Sequence, residues 1–236
     1  MAGATTIIAA SESLATCDAT SMFSRANPSP RYRELTALYR RMHAEGERFL
    51  EIPPQDTFPG LSLPPQAGRV KRMIERTGAQ SILDYGAGKG RQYDVRNFKA
   101  DDGRVYDSIP DYWDVDYVQC YDPSYEPFSK LPAARFDGVI STDVLEHCPE
   151  DDLAWIVDEI FGFADRFVFA NVACYPARKR LPTGENAHCT IRPPGWWEEL
   201  LRKVAARHPR LDWEVWVQYL EDGARPTESR IARDPT

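Results

Sequence analysis

Two of the four histidines in this sequence stand where their side chains can take part in chemistry. His147 follows an apolar segment in the string DVLEHC, and His188 lies 41 positions later in the polar stretch LPTGENAHC. An imidazole titrates near neutral pH, so each is a candidate general base. A helix-capping or packing role for His147, and a structural or substrate-contacting role for His188, are open alternatives. His43 and His208 lie in flanking segments and are interpreted as surface residues.

A group of glycines marks a second candidate site. The string SILDYGAGKG, residues 81–90, is an apolar run followed by an acid and then by Gly86, Gly88 and Gly90. A strand that ends in a glycine-rich turn and opens into a helix brings backbone N–H groups close to a nucleotide-like ligand. The pattern is GxGxG, and Lys89 precedes a glycine, so neither the dinucleotide fingerprint nor the phosphate loop fits. A tight turn without a ligand is the alternative.

The string LDYGAGKG resembles motif I of the class I S-adenosylmethionine (SAM) dependent methyltransferases. The resemblance implies that Asp84 lies near the amino group of the methionyl moiety and that residues 86–88 line the cofactor through backbone atoms. The family also places an acid at the end of its second strand to receive both ribose hydroxyls. The string VQCYDPS supplies Asp122 at that position, where a solvated strand end is the alternative.

A third element strengthens this resemblance. The string FDGVISTDVLEHCPEDD matches the family's fourth strand and the loop after it, including DVLEH, which is common among small-molecule methyltransferases. The resemblance implies a SAM cofactor, with His147 beside the transferred methyl group and His188 in the loop that builds the acceptor pocket. These two are the expected catalytic residues, on opposite walls of one pocket. The residues expected to bind the cofactor are Asp84, Tyr85, Gly86, Ala87, Gly88, Gly90, Asp122, Pro123, Thr142, Asp143 and Val144.

The sequence departs from the family in three places. About fifteen residues separate Asp122 from the fourth strand, too few for the usual helix and third strand, so the acid that often contacts adenine is not identified. Only one clear strand follows the late helix, where the family has a hairpin. Residues 101–126 are rich in acids and aromatics, and are interpreted as a solvated loop covering a sheet edge or as a substrate lid.

Two further groups bear on the acceptor. Asp143, Glu146 and His147 have i, i+3, i+4 spacing, and with His188 they resemble the ExxEH-plus-histidine site of Mg²⁺-dependent small-RNA 2′-O-methyltransferases. The first position here is Asp, and we assign no metal ligand. The run PARKRLP, residues 176–182, is compatible with recognition of an anionic part of the acceptor and equally with a solvated loop.

The remaining sequence predicts the elements that position these residues. Apolar side chains at three- and four-residue steps predict a helix over residues 31–50, and residues 66–78 predict a second helix ending at Gly78. Strands and helices then alternate, which predicts an α/β, doubly wound, Rossmann-like and mostly parallel sheet flanked by helices, with an N-terminal helical cap. The expected divisions are a flexible arm (1–30), a helical cap and linker (31–65), a SAM-binding domain (66–220) and a polar tail (221–236).

Composition limits the classes of function. The net charge of −7 makes a nucleic-acid partner unlikely, and the five cysteines include no CxxC pair. With no long apolar run and no basic leader, we expect no membrane insertion and a cytoplasmic protein. The expected function is methyl transfer from SAM to an oxygen or nitrogen of a small-molecule or glycan-like acceptor. The alternatives are a non-catalytic nucleotide-binding module and a metal-dependent RNA 2′-O-methyltransferase; the oligomeric state is not predicted.

Overall fold

The computed structural model describes residues 22–234 and has an α/β architecture. Within these residues, six strands form a central sheet in the order β4-β1-β5-β6-β7-β8, and two short strands form a separate ribbon. In chain order the strands are β1 Ser81–Tyr85, β2 Phe98–Lys99, β3 Val105–Tyr106, β4 Tyr117–Tyr121, β5 Phe136–Thr142, β6 Ala164–Ala173, β7 Asp212–Glu221 and β8 Arg225–Ala232.

Neighbouring strands of the central sheet are parallel except for the last pair, β7 and β8. Strand β1 pairs with β4 on one side and with β5 on the other, so the chain changes direction across the sheet at β1. A reversal of this kind opens a crevice at the carboxyl ends of the strands, where α/β proteins commonly bind ligands. The loops after β1 and β5 both lie at this crevice.

In the described part of the chain, five helices surround the sheet: α1 Pro30–Glu45, α2 Ala67–Thr77, α3 Ile109–Trp113, α4 Glu150–Phe163 and α5 Pro194–Ala205. Helices α4 and α5 bury Leu153 and Trp197 in the same hydrophobic cluster as Leu83 of β1. Helices α2 and α3 cover the other face, where Met73 and Trp113 join a second cluster that includes Ile82. Both faces of the sheet are therefore covered, which confirms the predicted Rossmann-like α/β fold.

The two predicted N-terminal helices differ in how well the sequence located their ends. Helix α2 ends before Gly78, whose left-handed φ of 66° and N–H bond to the Ile74 carbonyl close the helix as predicted. The prediction that the first helix extends to residue 50 is wrong. Helix α1 ends at Glu45, because Gly46 takes a φ of 89° and its N–H bonds to the carbonyl of Met42.

The connection from β1 to β4 also differs from the prediction. No α-helix follows the glycine turn directly; a single 3-10 turn, Arg91–Tyr93, leads to the β2–β3 ribbon and then to α3. Residues 101–126 are therefore neither a simple loop nor a lid. Trp113 in this stretch is fully buried, and its indole N–H donates to the carbonyl of Ala67 at 3.0 Å. Tyr112 and Trp113 pack in the same hydrophobic cluster as Met73, which holds α3 against α2.

Both chain ends of the described region are more ordered than predicted. Residues 225–232, predicted as part of a polar tail, form β8 and pair antiparallel with β7, which supplies the hairpin that the sequence did not reveal. Residues 1–21 of the predicted arm lie outside the described region; in residues 22–29, Arg25 and Ser29 contact the rest of the protein, whereas Met22 is exposed. Arg25 forms an ion pair with Glu159, and Ser29 caps α1 through a bond from the Tyr32 N–H. Within residues 22–234, no helix has the length and apolar character needed to cross a bilayer.

Candidate functional site

A cavity of about 390 Å³ lies at the carboxyl ends of β1, β4, β5 and β6. Its walls come from the glycine turn, the turn after β5, helix α1, residues 58–62 and the loop between β6 and α5. Most of the residues selected from the sequence line this one cavity: Tyr85, Gly86, Ala87, Gly88, Asp122, Pro123, Thr142, Asp143, Val144, His147 and His188. Asp84 and Gly90 do not line it.

The glycine turn needs glycine for its backbone and for close packing. Gly86 and Gly88 have φ angles of 87° and 58°, in the left-handed region that other residues rarely adopt. A Cβ atom on Gly88 would lie 2.8 Å from the carbonyl oxygen of Phe58, and one on Gly86 would overlap the methyl groups of Val144. The turn is thus pressed between the residue 58–62 segment and the turn after β5, with its backbone facing the cavity.

Asp122 anchors the turn to the end of β4. Its Oδ2 accepts a hydrogen bond from the Gly88 N–H at 3.0 Å, and its Oδ1 accepts one from the Ser124 N–H at 2.8 Å. Burial raises the pKa of Asp122 to about 6, although these backbone donors and the charge of Lys89 act in the opposite direction. The carboxylate is therefore ionised at neutral pH, and it lies at the cavity wall where it can accept further hydrogen bonds.

Asp84, which the sequence predicted to lie near the methionyl amino group, is buried behind the cavity wall and does not line the cavity. Its Oδ2 accepts hydrogen bonds from Gln92 Nε2 at 2.9 Å and from the Tyr93 hydroxyl at 2.8 Å. Gln92 Nε2 also donates to the carbonyl of Ala87, which fixes the orientation of the amide. Gln92 lines the cavity, and its buried Oε1 has no hydrogen-bond partner among the described residues. Gln92, missed in the sequence, is the group that Asp84 positions.

The turn after β5 separates its three ionisable residues. Asp143 has a φ of 59°, and both it and His147 line the cavity. Glu146 points into the protein instead: it is fully buried, and its Oε1 accepts a hydrogen bond from the Ala173 N–H at 2.6 Å. Burial and the charge of Asp143 raise the pKa of Glu146 well above its ordinary value. The predicted common face therefore holds Asp143 and His147 without Glu146.

His147 and His188 line the same cavity and lie side by side, rather than on the opposite walls that the sequence predicted. Their ring centroids are 4.7 Å apart, and the rings are nearly perpendicular, at 85°. The turn after β5 supplies His147, and the loop between β6 and α5 folds back to supply His188.

Backbone carbonyls orient both imidazoles. His147 Nδ1 lies 3.0 Å from the Ala187 carbonyl and 2.8 Å from the Tyr39 hydroxyl, and His188 Nδ1 lies 2.6 Å from the Tyr175 carbonyl. A carbonyl can only accept, so each Nδ1 carries the proton and each Nε2 presents a lone pair when the ring is neutral. Burial and the neighbouring His188 hold the pKa of His147 well below its ordinary value.

Asp143 completes this cluster. His188 Nε2 lies 3.9 Å from Asp143 Oδ1, and one ligand atom from each of Asp143, His147 and His188 lies within 4.8 Å of the other two. The arrangement has two chemical uses: a neutral imidazole can accept a proton from an acceptor, or the three groups can hold a divalent cation.

Helix α1 and residues 58–62 supply cavity residues that the sequence did not identify. Tyr39 donates its hydroxyl proton to the Ala187 carbonyl at 2.6 Å and contacts His147 edge to face. Phe58 packs against both Tyr39 and His43. The interpretation of His43 as a surface residue is wrong, since it is buried at the cavity wall, whereas His208 is half-buried against Asp158. These cavity residues were not identified from the sequence, because an apolar helical pattern and a proline-rich string do not by themselves indicate a ligand site.

Comparison of this chain with known proteins gives no match. No family model matches the sequence, and no curated protein or solved structure shows significant similarity to it. The geometry of the cavity therefore carries the functional argument.

Proposed function

We propose that this protein is a SAM-dependent methyltransferase that acts on an oxygen or nitrogen of a small-molecule or glycan-like acceptor. The observation that carries the proposal is the convergence, on one cavity at the β1 reversal, of a glycine turn with its acid and of two neighbouring imidazoles. The glycine-turn end suits a nucleoside-containing cofactor, and the imidazole end suits an acceptor whose proton must be removed. Helix α1 acts as the N-terminal helical cap, because Tyr39 links it to His147.

The cofactor half of the cavity offers acceptors for two polar parts of SAM, the ribose hydroxyls and the methionyl ammonium. Asp122 would accept hydrogen bonds from the two ribose hydroxyls, which suits a carboxylate with two acceptor oxygens. Gln92 Oε1, buried without a partner, would accept from the methionyl ammonium, while Asp84 holds the Gln92 amide from behind. The bare Cα atoms of the glycine turn let the ligand approach the backbone closely.

Methyl transfer from a sulfonium is an in-line displacement, so most of the catalysis in the acceptor half would come from positioning. A neutral imidazole with a free Nε2 can take the proton of a hydroxyl acceptor as the new bond to carbon forms, or remove a proton from an ammonium so that the resulting amine can attack the methyl group. His147 and His188 both meet this requirement, since their Nδ1 atoms are held by carbonyls.

Calorimetry with SAM and with its demethylated product S-adenosylhomocysteine tests the proposal. We expect binding with a Kd of about 1 µM, which corresponds to about −8 kcal/mol, because the cavity buries the nucleoside and pairs its polar groups. NAD serves as the control, since the GxGxG turn lacks the dinucleotide spacing. Heat with NAD and none with either SAM or its product would overturn the proposal, and binding without any methyl transfer would favour a non-catalytic nucleotide-binding module.

The affinity for S-adenosylhomocysteine should fall as the pH is lowered through about 6. The pKa of Asp122 is raised to about 6 in the free protein, and ribose hydroxyls bind the ionised carboxylate, so binding lowers that pKa. Affinity is then constant above about pH 7 and falls by up to about tenfold per pH unit below 6. Calorimetric titrations between pH 5 and 8 measure this.

The Asp122→Asn variant is the control for this pH dependence. We expect it to bind about 1 to 3 kcal/mol more weakly at pH 8 and to lose most of the pH dependence, since the amide does not titrate. Burial also raises the pKa of Asp84 to about 6. An unchanged pH dependence in the variant would therefore assign the titration to Asp84 and contradict the role proposed for Asp122.

A metal-dependent transfer is a second candidate, favoured by the proximity of Asp143, His147 and His188. Two imidazole nitrogens and one carboxylate suit a divalent transition metal, and the bound ion would polarise a hydroxyl acceptor. Glu146, the fourth residue of the RNA enzymes' site, is not part of this group: it is fully buried, and its Oε1 accepts a bond from the Ala173 N–H. The net charge of −7 also disfavours an RNA acceptor.

A further inference from the structure

The loop between β6 and α5 carries three consecutive cations, and the structure gives each a different environment. Lys179 and Arg178 line the cavity, with Lys179 half-buried and Arg178 exposed at the rim. Arg180 does not line it; its guanidinium donates to the Gly184 carbonyl at 3.0 Å on the protein surface. Only two members of the basic run can therefore meet a ligand in the cavity.

Lys179 has a charge that no carboxylate neutralises at close range. Its Nζ lies 4.6 Å from the centroid of the Phe58 ring, and it forms no ion pair with any acid in the described part of the chain. Burial lowers the pKa of Lys179, while the charges of Asp143 and Glu47 raise it from longer range. A half-buried ammonium of this kind has lost part of its hydration without gaining a charged partner, which favours an anion at the site.

A second ammonium adds to the positive potential at this end of the cavity. Lys89 Nζ donates to the His43 carbonyl at 3.1 Å and lies over the ring of Tyr125. Burial, Lys89 and Lys179 together lower the pKa of His43 to about 4, so His43 is neutral and lies within the influence of both lysines. The charge of Asp122 acts on Lys89, whereas the two acids that act on Lys179, Asp143 and Glu47, form no ion pair with it.

The loop that carries Lys179 also forms part of the acceptor half of the cavity. Lys179 and His188 belong to the same loop, and the charge of Lys179 contributes to the lowered pKa of His147. A small molecule with its nucleophilic atom at the two imidazoles would extend its other end toward Lys179. The Phe58 ring, against which the Lys179 ammonium is placed, fixes the direction from which an anion can approach.

We propose that the acceptor half of the cavity binds a small molecule with an anionic group, a phosphate or a carboxylate, which Lys179 receives while Arg178 contributes at the rim. The anion neutralises the charge of the half-buried Lys179 ammonium, and it orients the rest of the molecule toward His147 and His188. The identification of this molecule as the methyl acceptor rests on the proposed function; the anion site itself does not.

Calorimetric titrations of the full chain with inorganic phosphate and, separately, with benzoate test the anion site and distinguish the two anion classes. We expect saturable binding of at least one of them, with a Kd of about 1 to 10 mM. Lys179→Met, which keeps the apolar stem, should weaken that binding at least about tenfold, because the charge-assisted bond is lost. Arg180→Met, a matched loss of charge on the same loop, should change the Kd by less than about twofold.

Two results would overturn the anion site: no saturable binding of either anion to the parent protein, or equal binding by the parent and both variants. Thermal unfolding of each variant checks that it is folded, and Lys179→Arg, which retains the charge, should keep anion binding within about threefold of the parent. The same titrations repeated with S-adenosylhomocysteine keep the two proposals apart. Failure of the nucleoside to bind contradicts the methyltransferase, whereas loss of phosphate or benzoate binding in Lys179→Met alone supports the anion site.

Discussion

Replacing Gly88 with valine should abolish the binding of SAM and S-adenosylhomocysteine, weakening it at least about 100-fold, or nearly 3 kcal/mol. Gly88 has a φ of 58°, and holding a β-branched residue there costs about 1 to 3 kcal/mol. The added Cβ would also lie 2.8 Å from the Phe58 carbonyl oxygen, so the turn and the residue 58–62 segment must move apart. That movement breaks the bond from the Gly88 N–H to Asp122, which positions the ribose acceptor.

Gly103→Val is the matched control for Gly88→Val. Gly103 has a φ of 82°, and a Cβ atom there would meet no other heavy atom within 4 Å. The two variants therefore carry a similar backbone strain, but only one disturbs the cavity. Calorimetry on both, with thermal unfolding to establish that they are folded, isolates the effect at the site. Parent-like binding by a folded Gly88→Val protein would show that the cofactor does not bind at the glycine turn.

The sequence located the cavity well because its main residues follow strands. Gly86, Asp122 and Thr142 each stand at or just after the carboxyl end of a strand, and a parallel sheet gathers these ends at one edge. The same reasoning predicted that His147 lies near this edge of the sheet, since it stands one turn beyond β5. Local sequence patterns were sufficient here because strand direction alone determines where these side chains meet.

Residues that depend on distant contacts were not predictable in this way. Side chains alternate along β1, so Asp84 faces α2 and α3 together with Ile82. Its hydrogen-bond partner Gln92 lies in a segment without a periodic pattern, so the sequence does not indicate this contact. Phe58 lies in a string rich in prolines that is typical of a linker, and its role comes from packing on the glycine turn and on Tyr39. Strand β8 has the polar composition of an exposed edge strand, which resembles that of a disordered tail.

The second large effect is expected at the paired imidazoles. His147→Gln or His188→Gln should lower methyl transfer by about 10²- to 10⁴-fold while leaving the affinity for S-adenosylhomocysteine within about twofold of the parent. The reason is positional: both rings lie in the acceptor half of the cavity, with Nδ1 held by a backbone carbonyl and Nε2 left to act on the acceptor. Neither ring contacts Asp122 or Gln92, so cofactor binding does not depend on them.

Transfer is measured as S-adenosylhomocysteine formation, with the acceptor supplied as the metabolite that co-purifies with the protein and is identified by mass spectrometry. His208→Gln is the matched control, because His208 bonds to Asp158 away from the cavity. Turnover unchanged in both cavity variants would contradict a catalytic role for the imidazoles. A loss of cofactor affinity equal to the loss of turnover would instead make them binding residues.

Chelation separates the metal-free transfer that we favour from the metal-dependent candidate. If an imidazole acts as the base, EDTA leaves turnover unchanged, and Asp143→Asn retains most of it because the carboxylate lies 3.9 Å from His188 Nε2 without a direct bond. If a cation is held instead, EDTA removes activity, a divalent metal restores it, and Asp143→Asn is as harmful as either histidine change, since the site then loses one of its three ligands. Glu146→Gln distinguishes a three-ligand from a four-ligand site. Its carboxyl accepts a bond from the Ala173 N–H beneath the cluster, and a glutamine amide oxygen can accept the same bond, so in a three-ligand site this variant should fold normally and leave the response to metal unchanged.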